Sequence, residues 1–165
     1  MSRLTMVFAV AAILLPFASA LAQDDPEPKR YVGEFTEEEV ISHDEQYADG
    51  VFSYIPDESA LAIFKAVSQP VLIKVFYRTD CVDSIQHVPA FIKTIQLADN
   101  PNIEVQYIGV NRPKDEPAEL LEGWEIELVP TFIVLREGEE VGRVIETPKT
   151  KIEIDLSEML QAFTN

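Results

Sequence analysis

Apolar residues recur at two different spacings in the middle of the chain. Residues 71–77 (VLIKVFY) form an almost unbroken run of β-branched and aromatic side chains, which is typical of a strand buried on both faces of a sheet. From Cys81 onward, the apolar residues follow the spacing of a helix that has Pro89 inside it. These apolar positions are Ile85, Val88, Ile92 and Ile95. The pattern therefore predicts a buried strand that leads through a short turn into a helix kinked at Pro89.

The same criteria predict the remaining elements of the chain. They are a strand at 51–55, a helix capped by Asp57 and running to about residue 68, a strand at 103–110, a short helix at 118–124, and a hairpin of strands 131–135 and 141–145. A last helix is predicted to start with a capping box of Thr150 and Glu153. Its apolar face comprises Ile152, Leu156, Met159, Leu160 and Phe163.

The order of these elements is β-α-β-α-β-α-β-β-α. Strands that alternate with helices pair in parallel, and the closing hairpin adds an antiparallel edge. We therefore expect an α/β fold in three layers, with a central mixed sheet flanked by helices. A length of 165 residues favours one such domain, which we place at residues 51–165.

The first 50 residues have a different character. Residues 1–22 resemble a secretory signal peptide, because Arg3 precedes an apolar run that ends in small residues at the spacing of a cleavage site. This predicts export to the periplasm or the exterior, with no membrane insertion after cleavage; an uncleaved anchor is the alternative. Residues 23–50 are acidic and predict a partly flexible leader.

Charge and composition limit the possible partners. The chain has 13 basic and 29 acidic side chains, a net charge of −16, so nucleic acids and anionic membrane surfaces would be repelled. The sequence has no glycine-rich phosphate loop, and its two histidines, His43 and His87, lack a zinc-binding spacing. We expect neither a cofactor nor a metal.

Cys81 is the only cysteine, so the chain cannot form an internal disulfide. A lone thiol in an oxidising compartment is buried and inert, bonded to another molecule, or reactive. At a helix start, unpaired N–H groups and the helix dipole favour the thiolate, and the Ser84 hydroxyl could donate to the sulfur. Asp80 and Asp83 bring negative charge that opposes the thiolate.

Three features of this region resemble the thioredoxin family. Residues 81–84 (CVDS) match the spacing of the family's Cys-x-x-Cys motif, and Pro89 lies eight residues after the first cysteine. A Val-Pro-Thr segment precedes the hairpin, where the family has a cis-proline. The resemblance implies a thioredoxin-like fold with Cys81 and Ser84 as catalytic residues. It also implies that a substrate binds along Val129, Pro130 and Thr131.

The departures from the family motif determine the functions that remain open. Ser84 replaces the second cysteine, Asp80 stands where the family has tryptophan, and Val75 stands where many members have a buried acid. We expect a single-thiol oxidoreductase whose partner is a client protein or a small thiol. The alternative is a redox-inactive binding or chaperone module. A one-cysteine peroxidase is a weaker reading, because Thr79 lies two residues before the cysteine rather than three.

Overall fold

The computed structural model describes residues 31–164. The signal peptide predicted at 1–22 and the first part of the predicted leader, 23–30, lie outside these residues. The elements are β1 (Gly33–Phe35), α1 (Glu37–Ser42), α2 (Glu45–Ser53), α3 (Glu58–Ala66), β2 (Val71–Tyr77), α4 (Val82–Ala98), β3 (Ile103–Gly109), α5 (Ala118–Leu121), β4 (Thr131–Arg136), β5 (Glu139–Ile145) and α6 (Ile152–Leu160), which continues into a 3₁₀ turn at Gln161–Phe163.

The five strands form one mixed sheet in the order β1-β3-β2-β4-β5. Strands β2 and β3 are parallel, whereas β4 lies antiparallel to β2 and β5 antiparallel to β4. The central strand β2 is buried along most of its length, as its continuous apolar sequence predicted. The prediction of an α/β fold around a mixed sheet is confirmed.

The two faces of the sheet are covered unequally. Side chains of α2, α3, α4 and α6 contribute to the larger core on one face, together with buried residues of the central strands. The other face is covered by the short helix α5 and the segment around Trp124 and Ile126. This second, smaller core extends to Cys81, which is packed against it.

The leader predicted for residues 23–50 is folded in its described part. Strand β1 pairs antiparallel with β3, where Gly33 lies opposite Gly109, and helices α1 and α2 follow. The predicted strand at 51–55 is wrong, because residues 51–53 are the end of α2. Asp44 caps this helix, and Tyr47 and Val51, four residues apart, form its buried face.

The predicted capping box at the last helix is also wrong. The N-cap of α6 is Lys151, and its side chain makes no capping hydrogen bond. Glu153 is fully buried and accepts hydrogen bonds from the Tyr54 hydroxyl and the Asp57 amide, at 2.8 and 3.0 Å. Thr150 is bonded instead to the carboxylate of Asp155, at 2.7 Å. Glu153 is therefore bound by donors that lie far away in the sequence, and its place as the partner of Thr150 is taken by Asp155.

Most other predicted elements are confirmed with small shifts in their bounds. Asp57 caps α3, β2 has its predicted bounds, and the hairpin turns at Glu137 and Gly138, which both have positive φ. Helix α5 is shorter than expected, since it ends at Leu121. Among residues 31–164, no helix is long and apolar enough to cross a membrane.

Candidate active site around Cys81

The turn between β2 and α4 places Cys81 at the N-cap of α4, directly before the first helical residue, Val82. The Cys81 amide donates to the Arg78 carbonyl (3.2 Å), and the Cys81 carbonyl accepts the first hydrogen bond of the helix, from Ile85 (2.9 Å). Cys81 has the extended backbone of an N-cap residue, but its side chain caps no N–H group. The N-caps of the three preceding helices, by contrast, accept such bonds through side-chain oxygens.

The sulfur of Cys81 is half-buried and directed at the loop before β4. Its thiol donates to the carbonyl oxygen of Val129, with 3.2 Å between Sγ and oxygen. The peptide bond between Val129 and Pro130 is cis, as the resemblance to the thioredoxin family implied. The fold therefore brings together Cys81 and the predicted substrate-binding segment, 48 residues apart in the sequence.

The segment from Leu128 to Thr131 is tied to its surroundings. Thr131 is buried at the start of β4, and its hydroxyl donates to the Leu128 carbonyl (2.7 Å), while the Pro130 carbonyl accepts from the Glu146 amide (2.7 Å). The Thr131 hydroxyl is thus already bonded within the protein. Leu128, beside Val129, exposes 44% of its surface.

Ser84 lies one turn beyond Cys81 but does not contact the sulfur in the way expected. It is fully buried, and its hydroxyl oxygen accepts a hydrogen bond from the Arg78 amide at 3.3 Å. The expected hydrogen bond from Ser84 to Sγ is not present among the described residues, where the Cys81 thiol is bonded to the Val129 carbonyl and the Ser84 oxygen to the Arg78 amide. Ser84 instead holds the turn that carries Cys81.

The charge of Asp80 is compensated by two arginines. Its carboxylate accepts from Nε of Arg78 and, at 2.5 Å, from Nη2 of Arg112. Burial acts to raise the pKa of Asp80, but the hydrogen bonds and charges of the two arginines outweigh it and hold that pKa below its ordinary value. Asp80 therefore adds less negative charge beside the sulfur than the sequence suggests.

A cleft of about 620 Å³ opens beside this turn, at the carboxyl ends of β2 and β3. Residues 78–80 form one wall, and the loop at 110–116 with Tyr31 forms the other. The sequence predicted no site residue at 110–116 and missed this role. The signal was available, because clefts in parallel sheets form where neighbouring strands end.

Two side chains from the predicted leader, those of Tyr47 and His43, also lie near this turn, which the sequence did not predict. Tyr47 is fully buried, and its hydroxyl donates to the Arg78 carbonyl at 3.4 Å. His43 stacks on Tyr31, with 3.7 Å between ring centroids, and its Nδ1 lies 3.2 Å from the Tyr77 hydroxyl. Residues 31–164 contain no cluster of three or more side chains suited to a metal ion.

A sequence profile of the family described as Thioredoxin matches residues 31–159, which is most of the chain. One curated relative is thioredoxin H2-1 of rice (Oryza sativa subsp. japonica), which is 46% identical over 39 residues. That match covers 24% of this chain and 28% of the relative. The chain thus spans little more than a quarter of the length of the rice protein.

Two solved structures have a similar fold. A protein of unknown function from Pseudomonas aeruginosa matches with a TM-score of 0.50 and 19% identity, over 73% of this chain and 78% of that one. An HIV epitope scaffold matches with a TM-score of 0.51 and 20% identity, over the same shares of the two chains. At these identities the likeness is one of fold alone.

Proposed function

This chain belongs to the thioredoxin family, and we propose that it is an exported oxidoreductase that exchanges disulfides through the single thiol of Cys81. The family supplies the scaffold, and the proposal concerns how this member uses it. One observation carries the proposal: a half-buried sulfur lies 3.2 Å from the Val129 carbonyl, at the uncapped start of α4.

The start of α4 suits a sulfur that must bear negative charge. The first-turn N–H groups of the helix receive no bond from the side chain at the N-cap position. Once Cys81 loses its proton, these groups and the helix dipole can stabilise the thiolate, which is the form that attacks disulfides. The pairing of Asp80 with Arg78 and Arg112 reduces the opposing charge.

The proposed exchange proceeds in two displacement steps. The Cys81 thiolate attacks one sulfur of a substrate disulfide, a new bond forms between Cys81 and that sulfur, and the other sulfur leaves as a thiolate that takes up a proton from water. A second, external thiolate then attacks the mixed disulfide and releases Cys81. One half of the substrate has then left as a thiol, and the other half leaves bonded to the external thiol in a new disulfide. A second external thiol that attacks this disulfide completes the reduction of the substrate, and the two external thiols end as one disulfide.

The second step needs a thiol from outside this chain. Ser84 occupies the position from which a second cysteine would attack, and its hydroxyl is bonded to the Arg78 amide. The sequence contains no other cysteine. A small thiol such as glutathione, or a cysteine of a client protein, supplies the second attack.

Export forms part of the same proposal. The apolar segment within residues 1–22, ending in small residues, supports passage through a secretory pathway. The compartments reached in this way are oxidising, so disulfides are available there as substrates. Expressing the full-length chain and determining the N-terminal residue of the secreted form tests this part. A chain that stays in the cytoplasm with Met1 retained would contradict export.

The activity is tested by following mixed disulfides by intact mass. Reduced protein is mixed with a disulfide-bonded peptide; we expect one peptide half to be added to the chain and then released by reduced glutathione. Cys81→Ser should form no adduct. A wild-type chain that forms no adduct, under conditions in which an unstructured cysteine peptide does, would exclude the activity.

A second candidate function is a binding module that does not depend on the thiol. Val82 and Leu128 lie next to Cys81 and Val129 and expose 75% and 44% of their surface. Exposed apolar side chains that flank the contact between Cys81 and Val129 favour binding of an extended, partly apolar peptide there. If Cys81→Ser binds unfolded client peptides as tightly as the wild type does, this function is favoured.

A further inference from the structure

Tyr47 joins helix α2 to the turn that carries Cys81. We propose that Tyr47 is a positioning residue of the Cys81 site, whose hydroxyl fixes the Arg78 peptide and thereby directs the sulfur at the Val129 segment. The expected effect on disulfide exchange rests on the proposed function, whereas the hydrogen bond between Tyr47 and Arg78 can be tested without it. Tyr47 lies in a segment that the sequence indicated to be a leader.

The hydrogen bonds around Arg78 connect the two residues. The Arg78 carbonyl accepts from the Tyr47 hydroxyl (3.4 Å) and from the Cys81 amide (3.2 Å). The Arg78 amide donates to the Ser84 hydroxyl (3.3 Å). Both polar groups of one residue are therefore held, and Tyr47 supplies the bond that comes from outside the turn and α4.

Tyr47 is itself held in place by tight packing. Its side chain is fully buried, with its ring centroid 6.3 Å from that of Tyr77. Three residues further along α2, a Cβ atom at Gly50 would lie 2.7 Å from Cβ of Pro89, so α2 and α4 are in close contact at this point. Helix α2, which carries Tyr47, is thus packed closely against α4, the helix that begins after Cys81.

The hydroxyl has a role that packing alone does not explain. A phenylalanine would fill the same apolar space, and an unpaired buried hydroxyl would be destabilising. Burial, followed by the nearby Tyr77 and Cys81, raises the pKa of Tyr47 above its ordinary value, so the hydroxyl keeps its proton and donates. The donor therefore remains in place at any pH at which the protein would act.

Directing the sulfur matters most for substrates that must be aligned. A disulfide in an extended peptide has to lie along the Val129 segment while its S–S bond points at Sγ, and small displacements of a reacting atom slow such a step strongly. A small alkylating reagent approaches from solvent and needs no alignment. The two reactions should therefore respond differently to the loss of the Tyr47 hydroxyl.

Tyr47→Phe tests the proposal with three measurements. We expect exchange with a disulfide-bonded peptide to slow by about fivefold or more, while alkylation of Cys81 by iodoacetamide changes by less than about twofold. Amide hydrogen exchange at Cys81, whose N–H is bonded to Arg78, should become faster than in the wild type. The amide of Val71 at the start of β2, which is bonded to the Asn102 carbonyl, serves as an internal reference.

Tyr54→Phe is the matched control. It also removes one tyrosine hydroxyl, from the residue that ends α2, but that hydroxyl binds Glu153 rather than the turn. We expect Tyr54→Phe to leave both peptide exchange and Cys81 amide protection at their wild-type values, the latter relative to Val71.

Each other outcome overturns one proposal. If Tyr47→Phe matches the wild type in peptide exchange and Cys81 protection, or changes them no more than Tyr54→Phe does, Tyr47 is not a positioning residue. If the wild-type chain exchanges no disulfide, the proposed function fails, and Cys81 amide protection alone decides the role of Tyr47.

Discussion

Helices α3 and α4 begin in opposite ways. At α3, the Asp57 carboxylate accepts from the amides of Ser59 and Ala60, at 2.9 and 3.0 Å. The Asp57 amide in turn donates to Glu153, which is buried in α6. At α4, Cys81 occupies the equivalent N-cap position and caps nothing. We call the start of α3 closed, because both the carboxylate and the amide of its N-cap residue are hydrogen-bonded. We call the start of α4 open, because the side chain of its N-cap residue caps no N–H group.

The difference between the two helix starts distinguishes an N-cap residue that stabilises the fold from one that can react. Side-chain oxygens at helix starts stabilise a fold by about 1 kcal/mol each. A sulfur at the same position forgoes most of that stabilisation and leaves the N–H groups available to a charged atom. We infer that the uncapped start of α4 serves reactivity, whereas the capped start of α3 serves stability.

The largest expected effect comes from closing the open start with Cys81→Ser. Disulfide exchange should be lost completely, because no other sulfur of a cysteine is present. The unfolding free energy should stay the same or rise by up to about 1 kcal/mol, because serine is a favoured N-cap. Urea unfolding and peptide-disulfide exchange measure the two quantities. A clear loss of stability would mean that the thiol itself stabilises the fold.

The next effect comes from opening the closed start with Glu153→Ala. It leaves the Tyr54 hydroxyl and the Asp57 amide without their buried acceptor, so we expect a loss of about 3 kcal/mol in unfolding free energy. Urea unfolding measures the loss, and Glu153→Gln, which retains one acceptor oxygen, should lose less. Equal losses in the two variants would show that the charge, rather than the hydrogen bonds, is decisive.

Asp57→Ala removes only the cap of α3. We expect a loss of about 1 kcal/mol in unfolding free energy and no change in the rate of disulfide exchange by Cys81. Asp57→Asn retains a capping oxygen and is the control for stability. Slower exchange in Asp57→Ala, measured under conditions in which the protein is fully folded, would contradict the separation between the two helix starts.

The smallest effect is the dependence of stability on pH. Burial lowers the pKa of His87 in α4 and of His43 before α2, although Asp83 and Glu39 partly oppose the shifts. The unfolded chain therefore binds protons more readily, and unfolding free energy should fall as pH drops below about 6.5. Replacing both histidines by glutamine should flatten the curve between about pH 7 and 5.5. An unchanged slope would assign the effect to other groups.

The central part of the fold was predictable because its signals are local. The continuous apolar run of β2, the helical spacing after Cys81 and the turn residues of the hairpin each define an element within a few residues. The cis peptide bond at Pro130 and its nearness to Cys81 followed from the family resemblance. Periodicity alone would have given neither.

The errors arose where distant donors or partners decide the structure. Glu153 resembles a capping residue in the sequence, but it is bound to Tyr54 and Asp57, almost one hundred positions away. Residues 51–53 alternate like a strand, yet the cap at Asp44 and the burial of Tyr47 make them helical. Likewise, the bond made by Ser84 is to the Arg78 amide, and the sulfur is bonded to the distant Val129 carbonyl, which the spacing of Cys81 and Ser84 does not indicate.

The central claim, that the fold makes Cys81 reactive, is tested most directly by comparing one thiol in two states. The second-order rate constant for reaction of Cys81 with a small aromatic disulfide is measured in the native chain and in the same chain unfolded in urea, at the same pH. We predict that the native chain reacts about tenfold faster, because the open helix start stabilises the attacking thiolate. A native rate below the unfolded rate would contradict the claim and make Cys81 a sheltered thiol.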